Sequence, residues 1–172
     1  MKKESNKNSK VILAILAVVL CAGAIGVVTL GNKDTNNTND NTSTAQVLNE
    51  GDNLVIPLNE VSDKASFYSV EVEGTPMEVL AIKDAEGNVR TAFNTCQVCY
   101  GSGRGYYKQE GDNIVCQNCG NAFTAEQVEM EAGGCNPVPI FDEDKTVTND
   151  SITISYDFLD KYRQIFENWK IW

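Results

Sequence analysis

The chain has 172 residues, no histidine, six cysteines and a net charge of −10, with residues 1–10 at +3 (four lysines, one glutamate) and the rest at −13. Such an acidic surface repels nucleic acid and anionic headgroups, and it lacks the basic stripe that a nucleic-acid binder needs. Without histidine, C2H2-type zinc sites, haem attachment and histidine-assisted nucleophilic catalysis are excluded.

Residues 1–10 read as a cytoplasmic basic tail. Residues 11–30, VILAILAVVLCAGAIGVVTL, carry no charge and have the length of a bilayer-crossing helix. The alternative is a cleavable signal peptide cut near Ala22-Gly23-Ala24. Apolar character resumes through Ile25, Val27, Val28 and Leu30, which favours an uncleaved anchor. Cys21 follows Leu20 and not the small residue of a lipobox, so it reads as a membrane-segment residue. Lys2, Lys3, Lys7 and Lys10 precede the span and only Lys33 follows closely. The positive-inside rule then puts the N-terminus in the cytoplasm and the remainder outside the cell membrane, as a single-pass protein. Residues 31–46, GNKDTNNTNDNTSTAQ, form a disordered linker. As a coil it reaches on the order of 20–25 Å from the bilayer.

Residues 47–172 are expected to form one domain. Leu54–Leu58 contains Pro57 and reads as a short edge strand. Tyr68, Val70 and Val72 alternate with polar residues, which predicts a strand. Gly74-Thr75-Pro76 turns the chain into a second strand over Met77–Ile82. Asp84-Ala85-Glu86-Gly87-Asn88 is a turn by composition, and Val89–Phe93 forms a third strand that runs into Cys96.

Cys96-Gln-Val-Cys99 and Cys116-Gln-Asn-Cys119 are separated by sixteen residues. Two C-x-x-C pairs at this distance are a strong metal signal, for iron or for zinc. Each tight turn aims two sulfurs at one point, and a hairpin between the pairs brings the turns face to face. Arg104–Lys108 and Asn113–Val115 supply the hairpin strands, with Glu110-Gly111-Asp112 as the turn. Gly101 and Gly120 lie just after the pairs, where positive φ is often required. Tyr106 and Tyr107 either shield a metal centre or simply pack as strand residues. The competing reading is disulfide or dithiol chemistry, which an extracytoplasmic site permits and an odd cysteine count disfavours.

Thr124 and Gln127 make a capping box for a short helix over residues 125–132, ended by Gly133. This helix would return the chain and place a fifth sulfur, Cys135, near the pairs. Asp142, Glu143 and Asp144 read as a solvated turn. Ser151–Ser155 predicts a strand. Phe158, Leu159, Tyr162, Ile165, Phe166 and Trp169 then share one face of a C-terminal helix, with Asp157 and Asp160 in its first turn. The elements add up to an α+β fold. A small antiparallel β domain carries a zinc-ribbon-like cysteine hairpin, one short helix and a C-terminal amphipathic helix, behind an N-terminal transmembrane helix.

Ala92-Phe93-Asn94-Thr95-Cys96-Gln97-Val98-Cys99, Gly105-Tyr106, Val115-Cys116-Gln117-Asn118-Cys119-Gly120, Phe123 and Gly133-Gly134-Cys135-Asn136-Pro137 together resemble the FtrD-like membrane iron–sulfur domain family. The Asp84–Arg90 turn and strand are similar to it as well, and the resemblance spans roughly residues 50–168. It implies a membrane-associated iron–sulfur protein, found beside iron-uptake components, that moves electrons. Many members carry several spans, whereas this chain has one predicted span. Locally, Cys96-Gln-Val-Cys99-Tyr-Gly101-Ser-Gly103 resembles the C-x-x-C-x-G-x-G pattern of DnaJ-type zinc regions. The second pair lacks that pattern.

The expected function is therefore a metal-thiolate electron carrier, more a binding module than an enzyme. Cys96, Cys99, Cys116, Cys119 and Cys135 are its metal and cofactor ligands. An iron–sulfur cluster is the expected cofactor, and zinc in a structural ribbon is the alternative. The expected partners are the membrane itself and a membrane-bound redox or iron-permease protein. A thiol–disulfide oxidoreductase lacks the thioredoxin-like context around either pair.

Overall fold

The computed structural model describes residues 45–130 and 132–171. The predicted basic tail, the anchor at 11–30 and nearly all of the linker lie outside the described residues. Among the described residues no helix is long and apolar enough to cross a membrane.

Eleven strands are seen among the described residues: β1 (Gln46–Leu48), β2 (Asn53–Pro57), β3 (Ser66–Val72), β4 (Thr75–Lys83), β5 (Val89–Cys96), β6 (Tyr107–Glu110), β7 (Asn113–Cys116), β8 (Ala122–Phe123), β9 (Pro137–Pro139), β10 (Thr146–Val147) and β11 (Ser151–Ser155). They build a five-stranded sheet in the order β1-β3-β4-β5-β9, a second sheet β10-β11-β2, and a third sheet β6-β7-β8. Among the described residues only the β1–β3 pairing is parallel. The fold is thus mostly antiparallel β with few helices.

The five-stranded sheet is buried on both faces, which is why β4 reads as a nearly continuous apolar run. Met77, Val79 and Ala81 point into a larger core shared with Leu54, Ile56, Ile152 and Ile154 of the second sheet. Leu80 and Ile82 point the other way, into a smaller core that contains Cys96, Cys99 and Cys116. Strand β5 divides likewise, with Phe93 in the larger core and Ala92 and Cys96 in the smaller. The period of two along a strand sets this division.

The hairpin between β3 and β4 turns at Glu73 (φ 49°) and Gly74 (φ 73°), a two-residue turn with both central residues left-handed. Pro76 already lies in β4, opposite Glu71. Strand β2 is an edge strand, as Pro57 requires.

Two helical expectations are corrected. The described residues of the 125–132 segment do not form an α-helix. A single 3-10 turn spans Ala125–Gln127, with the Thr124 N–H donating to the Gln127 side chain at 2.9 Å. Val128 is then extended and fully buried in the smaller core, and Glu129 takes φ 71°. Tertiary burial of Val128 overrides the local cap. The C-terminal helix is also shorter. α1 covers Tyr156–Lys161, capped by the Ser155 hydroxyl, and tightens to a 3-10 turn over Arg163–Phe166. Side chains three apart eclipse in that tighter turn. Just past that turn the Trp169 N–H donates to Phe166 O at 3.2 Å, and the two rings meet edge to face at 5.1 Å.

Phe93 is the hub of this packing. Its ring lies 5.7 Å from Phe158, 5.1 Å from Tyr162 and 5.7 Å from Phe166. Replacing Phe93 by alanine is expected to lower stability by about 3–5 kcal/mol, the range for a fully buried phenylalanine. Urea unfolding checks this, with the midpoint falling and the slope unchanged.

Candidate metal centre

Both C-x-x-C turns begin at the end of a strand. Cys96 closes β5 and Cys116 closes β7. In the first turn the Cys96 N–H donates to Gly105 O at 2.7 Å, and the Cys99 N–H points at the Cys96 sulfur at 3.3 Å. A 3-10 turn over Tyr100–Ser102 follows and ends on Gly103 at φ 77°. The left-handed residue after the first pair is therefore Gly103 and not Gly101. After the second pair it is Gly120, at φ 75°, as expected.

Gly105 carries a different constraint. A Cβ there would stand 2.3 Å from the Cys99 carbonyl oxygen, a backbone atom that cannot swing aside. Gly105→Ala is expected to destabilise by about 3 kcal/mol, at the upper end for overpacking. Because the clash falls on Cys99, metal affinity should drop with it. Thermal unfolding and metal titration of the same variant measure the two effects.

The β6–β7 hairpin places the second turn against the first, as its sequence predicted. Its first strand starts at Tyr107, three residues later than expected, and its second at Asn113 as expected, with Tyr107 opposite Cys116. Asn94, fully buried on β5, holds the hairpin. Its side-chain oxygen Oδ1 accepts the Tyr107 N–H at 2.7 Å, and its side-chain amide Nδ2 donates to Tyr107 O at 3.3 Å and to Glu78 at 2.6 Å. The two tyrosines part company. Tyr106 faces Trp169 in the larger core, whereas Tyr107 lies among the cysteines.

Cys135 reaches the same place on an extended loop. Gln97, inside the first pair, grips that loop on both sides of Cys135. Its side-chain oxygen accepts the Gly133 N–H at 2.8 Å, and its own N–H donates to Asn136 O at 3.4 Å. The Tyr107 hydroxyl donates to the Cys135 carbonyl. Further back, Glu129 accepts from the Thr91 N–H at 2.6 Å and from Lys145 at 2.6 Å. Asp142, in the predicted acidic turn, also pairs with Lys145 at 3.3 Å.

All five cysteines of the domain are free thiols, with Cys96, Cys99 and Cys116 buried, Cys135 half-buried and Cys119 exposed. Their sulfurs fall into two trios, Cys96–Cys99–Cys135 and Cys99–Cys116–Cys119, with all sulfurs of a trio within 4.8 Å of one another. Sulfurs around one tetrahedral zinc stand about 3.8 Å apart, from a Zn–S bond of about 2.3 Å, so small inward shifts suffice for ligation. The donor set is thiolate throughout, which suits zinc, copper(I) or iron–sulfur centres and not magnesium or calcium. The residues present therefore fit a soft metal or a cluster.

The thiols are unequal. Burial raises the pKa of Cys96, but the Tyr107 hydroxyl and the N–H groups of Cys99 and Val98 outweigh it and leave it below the ordinary value. Cys119 also ends below its ordinary value, since the Asn121 N–H and neighbouring thiols outweigh burial. Burial raises Cys99, and pushes Cys116 up to about 12. The Cys119 thiol beside it, with some burial, pushes Cys135 up to about 12. Each trio thus holds one thiol below its ordinary value and others above it, and metal binding releases protons from the raised ones. Burial and the Cys96 sulfur hold the Tyr107 hydroxyl protonated, as a hydrogen-bond donor.

The family described as membrane iron–sulfur containing protein, FtrD-like, matches residues 61–166, well over half of the chain. The chain belongs to this family. No curated protein and no solved structure matches it. The FtrD-like match takes in all five cysteines and the whole five-stranded sheet except β1. Glu129 and Lys145 had no distinguishing signal in the sequence, and Asn94 and Gln97 entered only as members of the first cysteine motif. Each supports the FtrD-like cysteine cluster through contacts that only the folded chain brings together.

Proposed function

We propose that this chain is a membrane-anchored, extracytoplasmic iron–sulfur protein that transfers electrons beside a membrane-bound redox or iron-uptake system. The convergence of five cysteine sulfurs, three of them buried, within an FtrD-like domain carries the reading. The uncharged stretch 11–30 with its preceding lysines supports the anchor and its orientation. Cys96, Cys99, Cys116, Cys119 and Cys135 are the ligands from which the centre is built. An iron–sulfur cluster supplies one-electron redox chemistry when bound. The protein's own part is to hold the sulfurs, to tune them by burial and by N–H and hydroxyl donors, and to leave an open edge at Cys119 for exchange with a partner. The acidic surface favours a partner with a basic docking face.

A structural zinc ribbon is the second reading. The Cys99 N–H aimed at the Cys96 sulfur favours it, because such turns also frame closed zinc sites. Full-length protein purified in detergent without oxygen separates the two. Iron with acid-labile sulfide, visible charge-transfer absorption and a reducible paramagnetic signal are expected. Stoichiometric zinc with no visible absorption would overturn the iron–sulfur reading.

A further inference from the structure

Cys99 belongs to both sulfur trios. We infer that the five cysteines form two metal positions that share one sulfur: Cys96, Cys99 and Cys135 around one ion, and Cys99, Cys116 and Cys119 around the other, with the Cys99 thiolate bridging. This rests on the metal-centre reading above and goes beyond it in the number of ions and the division of ligands.

A single tetrahedral ion taken from the two C-x-x-C pairs leaves Cys135 without a task. Yet Cys135 stands within 4.8 Å of both Cys96 and Cys99, the same spacing that groups Cys116 and Cys119 about Cys99. The loop that brings it there is built for the purpose. Gln97 holds both flanks of Cys135, and Tyr107 holds its carbonyl. Left-handed backbone at Glu129, Gly133 and Gly134 bends the chain into the lobe.

The chemistry agrees with two ions. A thiolate sulfur has lone pairs enough to bond two soft metals at once. Cys99 is the right residue for that task, since it is buried between the trios and Cys119 is exposed. Charge points the same way. Two divalent ions on five thiolates leave about one negative charge, whereas one ion on the four thiolates of the two pairs leaves about two in a partly buried lobe. Each ion receives three sulfurs from this chain, which leaves one position on each for a ligand from outside.

Cadmium-113 is a suitable probe, because it binds thiolates without redox chemistry and reports a bridge directly. Full-length protein in detergent is reduced, freed of metal and titrated with cadmium-113 without oxygen. Two equivalents and two resonances split by each other are expected, since the splitting needs a metal–sulfur–metal bond path. Cys99→Ser should abolish the splitting. Cys135→Ser should remove one resonance and keep the one from Cys99, Cys116 and Cys119. Saturation at one equivalent, or two resonances without splitting in the unaltered protein, overturns the inference without needing either variant. Failure to bind cadmium at all overturns the metal-centre reading as well. Zinc in place of iron in the purified protein would overturn only the iron–sulfur assignment, so the failures are distinguishable.

Discussion

Removing metal from the centre is expected to loosen residues 97–136 selectively while β3, β4 and β5 stay folded. The reason lies in the two cores. The larger one contains no cysteine and is closed by two sheets and α1. The smaller one counts Cys96, Cys99 and Cys116 among its nine buried members, so a third of it consists of proposed ligands. A structural metal contributes about 10–16 kcal/mol in peptides that have almost no other core. Leu80, Ile82, Tyr107, Ile114 and Val128 give this lobe some core of its own, which lowers the share carried by metal. A local loss of about 4 kcal/mol, roughly a thousandfold in amide exchange, is a conservative figure on that scale. Hydrogen exchange with and without chelator measures it strand by strand. Equal loss of protection in β4 and β7 would show that the two cores do not respond separately.

Lys145→Met is expected to destabilise the protein by about 3–5 kcal/mol, the cost of stranding a buried charge whose partner has been removed. The Lys145 side chain is 2% exposed and that of Glu129 is 8% exposed. Lys145 also donates to the Thr91 hydroxyl at 3.0 Å and to Ile140 O at 3.1 Å, so one substitution leaves several acceptors unpaired. The double variant Lys145→Met with Glu129→Gln should recover part of the loss, because the uncompensated carboxylate is gone. The single variant should also weaken metal binding, since Glu129 anchors the stretch that leads to Cys135. Denaturation of the single and double variants, with metal content measured alongside, checks both effects. A double variant no more stable than the single one would place the defect in packing and not in charge.

Much of this architecture was legible in the chain. Alternating Tyr68, Val70 and Val72 marked β3, and the turn at Gly111 fixed the β6–β7 hairpin between the two cysteine pairs. The pairs announced a cysteine cluster by spacing alone. Other features were hidden for physical reasons. Strand β9 is Pro137-Val138-Pro139, and a strand with two prolines lacks the N–H groups by which strands are recognised. It pairs at the outer edge of β5, where that deficit is tolerated. The capping box at Thr124 was real but local, and it could not reveal that Val128 would be drawn into the smaller core. The spacing of the C-terminal aromatics predicted which side chains pack together, but not that the helix would tighten after Lys161 to bring Trp169 onto Tyr106. The Lys145–Glu129 pair spans sixteen residues of irregular chain, and no periodicity marks such a contact.

The clamp on the Cys135 loop also sets an order of events in time. Cys96, Cys99, Cys116 and Cys119 lie within one short stretch, which a single hairpin can close quickly. Cys135 lies 39 residues beyond Cys96, and its flank Pro137 pairs opposite Cys96 only once β9 has docked on β5. Four sulfurs are therefore expected to gather before the fifth. A newly made chain is then expected to pass through a four-thiol stage from which metal exchanges more readily than after the loop has docked. In rapid-mixing experiments, chelator added during refolding should strip the metal in the first phase and fail to do so in the last.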